Sequence, residues 1–314
     1  MKLSLIVPCC NEEGNVTRFF EAAESVFARE GFEYEYIFVN DGSRDGTLSE
    51  LKALSGTANA NLRVISFSRN FGKESAIYAG MKAAAGEYTT LIDADLQQRP
   101  EVALQMVRIL DEKPEIDCVA AFQDRRKESK LLIWFKNMFY RVINGMTTIP
   151  FTNAASDFRT FRAPVREAIL GLCEYHRFSK GIFSWVGFET EYIPYEVMER
   201  TAGKSKWSFF KLCKYAIEGI VGYTTAPLRL PVWLGGASAA GGAIYFIVAL
   251  IRRLCGVPWH KAAVLLAFVA FMGGCILTAI GVLGEYLAKT YEQGKGRPLY
   301  IVRETFEKER DENK

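Results

Sequence analysis

The chain has 314 residues, 49% of them apolar, and a formal net charge of +3, which is enough for one large domain with appendages or for two domains. So even a charge balance leaves no electrostatic footprint for nucleic acid, and so much apolar residue excludes a disordered chain. Seven cysteines without a CxxC pair, and only His176 and His260, leave no donor set for a zinc site.

The N-terminal stretch MKLSLIVPCCNEE has too short an apolar core for a secretory signal, and acids follow it at once. Cys9 and Cys10 read as small thiols at a strand-to-loop junction, and the cysteine usage as a whole suits a reducing compartment. Up to about residue 125 the chain alternates two patterns. LSLIVP, YEYIFVND, LRVISFS, EYTTLIDAD and DCVAAF are apolar runs of strand length. Amphipathic helical patterns lie between them, starting near Asn15 or Thr17, at Thr47, near Lys73, and at Pro100 in the first helical position. This alternation predicts a mostly parallel sheet covered by helices on both faces.

In such sheets ligands bind beyond the carboxyl ends of the strands. Polar residues collect there: Pro8 to Glu12, Asn40 to Asp45, Ser68 to Lys73, Asp93 to Gln97, and Arg125 with Arg126. Five such strand ends predict a single cleft. In LIDADLQQRP the acids Asp93 and Asp95 and the amide of Gln97 follow a strand end, where the turning backbone lets oxygen ligands converge. Two neighbouring carboxylates repel unless a positive charge lies between them, and a hard divalent cation carrying substrate phosphates answers that need. Asp41, in NDGSRDGT, reads either as turn and cap chemistry, with Asp45 or Thr47 capping the next helix, or as an acid facing a nucleotide. No GxGxxG and no GxxxxGK[ST] loop is present.

Beyond residue 125, Ser129 to Met146 and Trp207 to Thr224 mix bulky apolar and basic residues at helical spacing. Each reads as an interfacial helix (129-146 and 207-224) or as a helix packed on the globular domain. Leu230 to Ile251 and Ala262 to Gly284 are uncharged over 22 and 23 residues, enough for two bilayer spans joined by RRLCGVPWHK. Gly235, Gly236, Ala239, Ala240 and Gly241 are expected to let the pair pack closely. The expected organisation is a cytoplasmic catalytic domain over 1-228, a two-helix transmembrane hairpin within 229-288, and a cytoplasmic tail over 289-314 whose end, ETFEKERDENK, frays. Both termini are expected in the cytoplasm, on a multi-pass protein of the inner (plasma) membrane.

VPCCNEEGNV, VNDGSRDGT, RNFGKESAIYAGMKAAAGEY and DADLQQRPE, in this order and spacing, resemble the family 2 glycosyltransferases of the GT-A nucleotide-diphospho-sugar transferase fold. SDFRTFR and ERTAGKSKWSFFKL, followed by two apolar runs, narrow the resemblance to the polyisoprenyl-phosphate glycosyltransferases, the group of the dolichyl-phosphate mannose synthases. The resemblance covers nearly the whole chain. It implies that Pro8, Glu12 and Asp41 contact the nucleotide, and that Asp93 lies beside it. Asp93, Asp95 and Gln97 then form a Mg2+ or Mn2+ site poor in carboxylates. Asp157 is implied near the acceptor, as a base or a positioning group, and Arg200, Ser205 and Lys206 on a basic loop reaching the diphosphate. Asp157, Asp95 and Arg200 are the expected catalytic residues. Arg125, Arg126 and Arg141 are candidates for holding phosphate, with a solvated charge run as the other reading for the first two. Gln98 and Arg99 depart from the family's usual His and Pro.

The activity so implied is an inverting transfer of one sugar, UDP-glucose being preferred as donor, to undecaprenyl phosphate at the cytoplasmic membrane face, making a lipid-linked donor for envelope glycosylation. The implied partners are a nucleotide sugar, a polyisoprenyl phosphate lipid, the membrane and further copies of the chain as dimer or tetramer, but no nucleic acid. The alternatives are a processive polysaccharide synthase, which would need a QxxRW motif and more spans, and a non-catalytic membrane protein that binds sugar nucleotide.

Overall fold

The computed structural model describes residues 1–58, 60–123, 155–172, 174–196, 226–255 and 261–308. The chain divides into two compact units, Met1–Ser208 with Arg297–Lys314, and Phe209–Gly296.

The first unit is built on one sheet of eight strands. These are β1 (Leu3–Cys9), β2 (Tyr34–Asn40), β3 (Asn61–Phe67), β4 (Tyr88–Leu91), β5 (Cys118–Gln123), β6 (Ala155–Arg162), β7 (Thr190–Tyr195) and β8 (Val302–Lys308). Their order across the sheet is β7-β5-β6-β4-β1-β2-β3-β8. The central strands β4, β1, β2 and β3 run parallel, while β6 and β8 pair antiparallel with β4 and β3. The helices are α1 (Val16–Phe27), α2 (Thr47–Thr57), α3 (Lys73–Ala83), α4 (Pro100–Glu112), α5 (Ala163–Leu170) and α6 (Ser179–Val186). All five expected strands and all four expected helix starts are present, each within a few residues of its predicted position.

The central strands read as continuous apolar runs because both their faces are covered. Leu5 and Val7 of β1 and Tyr36 and Phe38 of β2 pack with Phe19 and Phe27 of α1 and Val107 of α4. On the opposite face Ile6 meets Ile77 and Met81 of α3, and Ile37 and Val39 meet Ala76 and Ala79. Gly80 brings α3 down onto β1, since a Cβ there would overlap the Ile6 side chain. That close seating fixes the height at which the first residue of α3 enters the strand-end cleft.

The segment expected to fray departs from that expectation over its described residues, 309–314 lying outside them. Glu304–Lys308 do not fray but complete β8, with Arg63 bridged to Glu307 at 2.8 Å and Lys52 to Glu304 at 3.0 Å. Just before β8, Tyr300 stacks on Phe67 with ring centroids 4.8 Å apart, and Ser75 Oγ donates to the Leu299 carbonyl at 3.0 Å. Alternating charge makes this strand look like a solvated tail, because only one side of an edge strand packs.

The second unit contributes α7 (Ala226–Leu254) and α8 (Lys261–Gly294), which pack on each other. Among the described residues one segment, Phe271–Gly294, is long and apolar enough to cross a membrane, and none of it is buried. Gly242 faces the Phe268 ring of the other helix, where a Cβ would come within 3.0 Å. Gly235, Gly236 and Gly241 have open space where a Cβ would point. The expected interfacial helices over 129-146 and 207-224 lie outside the described residues.

Candidate functional site

The parallel topology brings the ends of β1, β2, β3 and β4 to one edge, where they enclose a cleft of about 410 Å³. Pro8, Glu12, Asp41, Lys73, Asp93 and Asp95 are among the residues lining it. Four of the strand ends expected to meet therefore do so; the fifth, at Arg125 and Arg126, lies outside the described residues, as do Arg141, Arg200, Ser205 and Lys206.

The loop after β1 turns through Asn11, whose φ of 56° is left-handed. Its N–H donates to Ser43 Oγ at 3.0 Å and its Oδ1 accepts the Arg44 N–H at 2.9 Å, tying this loop to the one after β2. The next residue, Glu12, donates its N–H to Thr47 Oγ1 at 2.9 Å. Gly42 has φ 58°, and a Cβ on it would run into the Arg69–Asn70 backbone, so only glycine lets the second and third loops close together.

Asp41 serves that closure. Buried at 3% exposure, its two carboxylate oxygens accept the N–H groups of Phe71 at 2.6 Å and Gly72 at 2.9 Å. Burial raises its pKa, against the lowering effect of those two donors and of Arg69. The acid expected to face a nucleotide thus lines the cleft while it shapes the β3–α3 loop.

At the end of β4, Asp93 and Asp95 both line the cleft. Gln97 is half-buried and is not among the lining residues; its N–H donates to Asp95 Oδ1 at 3.2 Å, across Leu96 with its left-handed φ of 58°. Gln98, which the sequence marked only as a departure from a family pattern, holds Asp93 directly. Its Oε1 accepts the Asp93 N–H at 2.9 Å and its Nε2 donates to the Asp93 carboxylate at 3.3 Å.

β6 runs antiparallel to β4 with Leu91 opposite Arg159, so continuing the register by two residues sets Asp157 level with Asp93. Lys73, the first residue of α3, joins the two acids. Its ammonium lies 2.6 Å from Asp93 Oδ1, 2.9 Å from Asp93 Oδ2 and 3.4 Å from Asp157 Oδ2. Burial alone would lower the Lys73 pKa, but Asp93 and Asp157 outweigh it and hold it well above the ordinary lysine value. For Asp157, burial works to raise the pKa and is overcome by Lys73, Lys180 and Arg159, which leave it below the usual carboxylate range. A carboxylate so stabilised in its ionised form is a poor proton acceptor and a good fixed charge. Neighbouring Glu74 accepts both the N–H and the hydroxyl of Ser179, fastening α3 to α6. Cys9 is buried and its thiol is raised by that burial and by Glu12, so it is no nucleophile.

The oxygen donors at the β4 end suit a hard cation in kind. Among the described residues no three His, Cys, Asp or Glu side chains converge into a metal cage, so a cation here needs further oxygens from a substrate. The sequence placed Lys73 in a strand-end cluster at a helix start and Gln98 as a departure from the family pattern, but assigned neither a role in the site. A basic side chain opening a helix opposes the helix dipole, and that was the available signal for Lys73.

Residues 4–170 match the family model for glycosyl transferase family 2. A bactoprenol glucosyl transferase of Shigella phage SfV is 36% identical over 309 residues, covering 98% of this chain and 100% of the relative. The SfII prophage-derived bactoprenol glucosyl transferase of Shigella flexneri is 36% identical over 306 residues, covering 97% and 98%. Among solved structures, the mannosyltransferase PcManGT of Pyrobaculum calidifontis, in complex with GDP-Man and Mn2+, aligns with a TM-score of 0.48 at 17% identity, over 89% of this chain and 87% of that one.

Proposed function

The chain belongs to glycosyl transferase family 2, and we propose that it moves a single glucose from UDP-glucose to a polyisoprenyl phosphate such as undecaprenyl phosphate. The observation that carries the acceptor and the sugar is the 36% identity to bactoprenol glucosyl transferases along nearly the full length of both chains. The cleft suits the chemistry if its acids hold a cation, which with the Lys73 ammonium would offset the charge of two anionic reactants.

In that reaction the bond from the anomeric carbon to the nucleotide diphosphate breaks, and a bond from the same carbon to a lipid phosphate oxygen forms. A phosphate monoester with a second pKa of about 6 is largely a dianion at neutral pH and already nucleophilic. Donor and acceptor charges then redistribute onto the two phosphate products without a net proton transfer, so no strong general base is needed. Asp157 accordingly acts as a positioning charge beside the acceptor, consistent with the depressed pKa that Lys73 helps to impose. Direct in-line displacement inverts the anomeric centre.

Asp93 and Asp95, with Gln97, would hold a Mg2+ or Mn2+ ion, which when bound neutralises charge on the departing diphosphate. Glu12 and Asp41 bound the nucleotide end of the cleft with Pro8. We assign Arg200, Ser205 and Lys206 to the diphosphate, and Arg125, Arg126 and Arg141 to the acceptor phosphate, as arginine forks suit phosphate geometry. The exposed apolar surface of Ile276, Leu277, Ile280, Leu283 and Leu287 on α8 fits acyl chains rather than water. That surface supports a membrane-bound enzyme; its anchoring by a two-helix hairpin with both termini cytoplasmic, at the inner face of the plasma membrane and as a dimer or tetramer, is part of the proposal.

Incubating purified protein with labelled UDP-glucose and undecaprenyl phosphate tests the reading. A lipid-extractable monosaccharide product is expected. A labelled polymer would make the chain a processive synthase, and absence of transfer from any sugar nucleotide would make it a binding protein.

A further inference from the structure

Lys73 has no role in the family resemblance drawn from the sequence, yet the acids of two different strands converge on it. Both Asp93 oxygens lie within 2.9 Å of its ammonium, and Asp157 Oδ2 lies at 3.4 Å. A lysine that opens a helix stands against the partial positive charge of the helix N-terminus. α3 tolerates it because Asp93 follows the end of β4 and Asp157 comes from the start of β6, two residue pairs beyond the last ladder contact. With 42% of its side chain exposed, Lys73 borders the open cleft instead of the core.

A divalent cation offered to this cleft by itself meets the carboxylate of Asp95 and that of Asp93, whose two oxygens already face an ammonium. Hard cations give up water reluctantly and bind where several charged oxygens replace it. A nucleotide diphosphate brings such oxygens with it. We propose that Lys73 is a positioning residue that supplies the positive charge of the donor site while the cleft is empty, so that a divalent cation enters together with the nucleotide diphosphate and not ahead of it. The inference rests on reading the cleft as a cation-dependent sugar-nucleotide site. When the donor complex is seated, Asp93 acquires a second counter-charge, and Lys73 keeps Asp157 as its partner on the acceptor side. Charge balance across the two half-sites is thereby preserved before and after donor binding.

The test is Mn2+ binding to the full-length protein in detergent, followed by electron paramagnetic resonance without nucleotide, with UDP and with GDP. For the natural protein, one of the two nucleotides is expected to tighten Mn2+ binding by about tenfold or more, as added charged ligands should. Lys73→Met is expected to bind Mn2+ alone about tenfold or more tightly than the natural protein does, since an opposing charge has gone. Lys73→Arg keeps the charge and should bind Mn2+ alone as weakly as the natural protein. If Lys73→Met does not fold, Lys73→Gln is judged by the same criterion. Mn2+ binding that needs nucleotide equally in Lys73→Met overturns the inference and leaves the proposed function standing, as does a Lys73→Arg protein that behaves like Lys73→Met. Failure of every protein to bind Mn2+ with either nucleotide overturns the cation-dependent reading and the inference with it.

Discussion

Gln98 grips Asp93 through both ends of its amide, and only 7% of it is exposed. Groups that orient a metal-binding carboxylate usually matter about 10–100-fold in metal affinity or turnover when lost. Gln98→Leu is therefore expected to lower transfer by roughly that factor while the melting temperature changes little; an unchanged turnover number would show that Asp93 needs no such support. Asp95→Asn removes one of two strand-end carboxylates and should cost about 100-fold or more in turnover, as loss of a key electrostatic group does. A full-rate Asp95→Asn enzyme in a steady-state assay would remove Asp95 from the proposed cation site. That these two aspartates line the cleft was legible in the sequence because they follow the end of an apolar run in an alternating strand–helix pattern. The pairing of Lys73 with Asp93 and Asp157 was not, because nothing in the sequence shows that Asp157, 84 positions later, faces it. Asp45 gives the pH prediction at this scale. Burial works to raise its pKa, but the Thr47 hydroxyl and N–H and the Glu13 N–H outweigh it and lower the value. Its contribution to stability is thus present above the ordinary aspartate pKa and lost as pH falls through the lower folded value. The melting-temperature gap between the natural protein and Asp45→Asn should be full at neutral pH and narrow on acidification, and a gap constant down to the acid transition would contradict this.

Among the elements, β1 to β5 could be read because strands buried on both faces show as unbroken apolar runs bounded by turns. β6, in SDFRTFR, alternates charged and aromatic residues, and β8, in VRETFEK, shows a single apolar position packed on the sheet, Phe306. β8 lies at the sheet edge, where a strand needs only one apolar side, whereas β6 lies inside the sheet with Phe158 and Phe161 in opposite cores but buries Arg159 and Thr160 as well, so sequence periodicity passed both by. β8 has mechanical consequences. Through Tyr300 on Phe67, Leu299 on Ser75 and Ile301 on the Ser68 N–H at 2.9 Å, the chain after α8 braces the loop that carries Asn70 to Lys73. Tyr300→Ala is expected to destabilise the first unit by about 1–3 kcal/mol, the aromatic contact plus part of its buried area. At about 2–4 °C per kcal/mol for a unit of this size, thermal unfolding should register the change. A Tyr300→Ala protein that melts as the natural one does would mean the strap carries no load. That Gly242 faces Phe268 was also illegible, since a helix rich in small residues does not disclose which of them faces its neighbour.

At the scale of the whole molecule, the sheet collects acids and an ammonium at one edge, and a separate helical unit supplies apolar surface suited to a bilayer. Family membership makes the chain a sugar transferase, and the proposed pairing of a nucleotide sugar with a lipid phosphate gives each unit a task. Water-soluble donor and membrane-bound acceptor meet only if the cleft tolerates two anions at once. The most direct test is transfer of label from UDP-glucose to undecaprenyl phosphate by the purified full-length protein, with Mg2+ or Mn2+ and then with excess chelator. The account predicts a singly glucosylated lipid that forms with the cation and disappears on chelation. Equal product formation with the cation removed would contradict it.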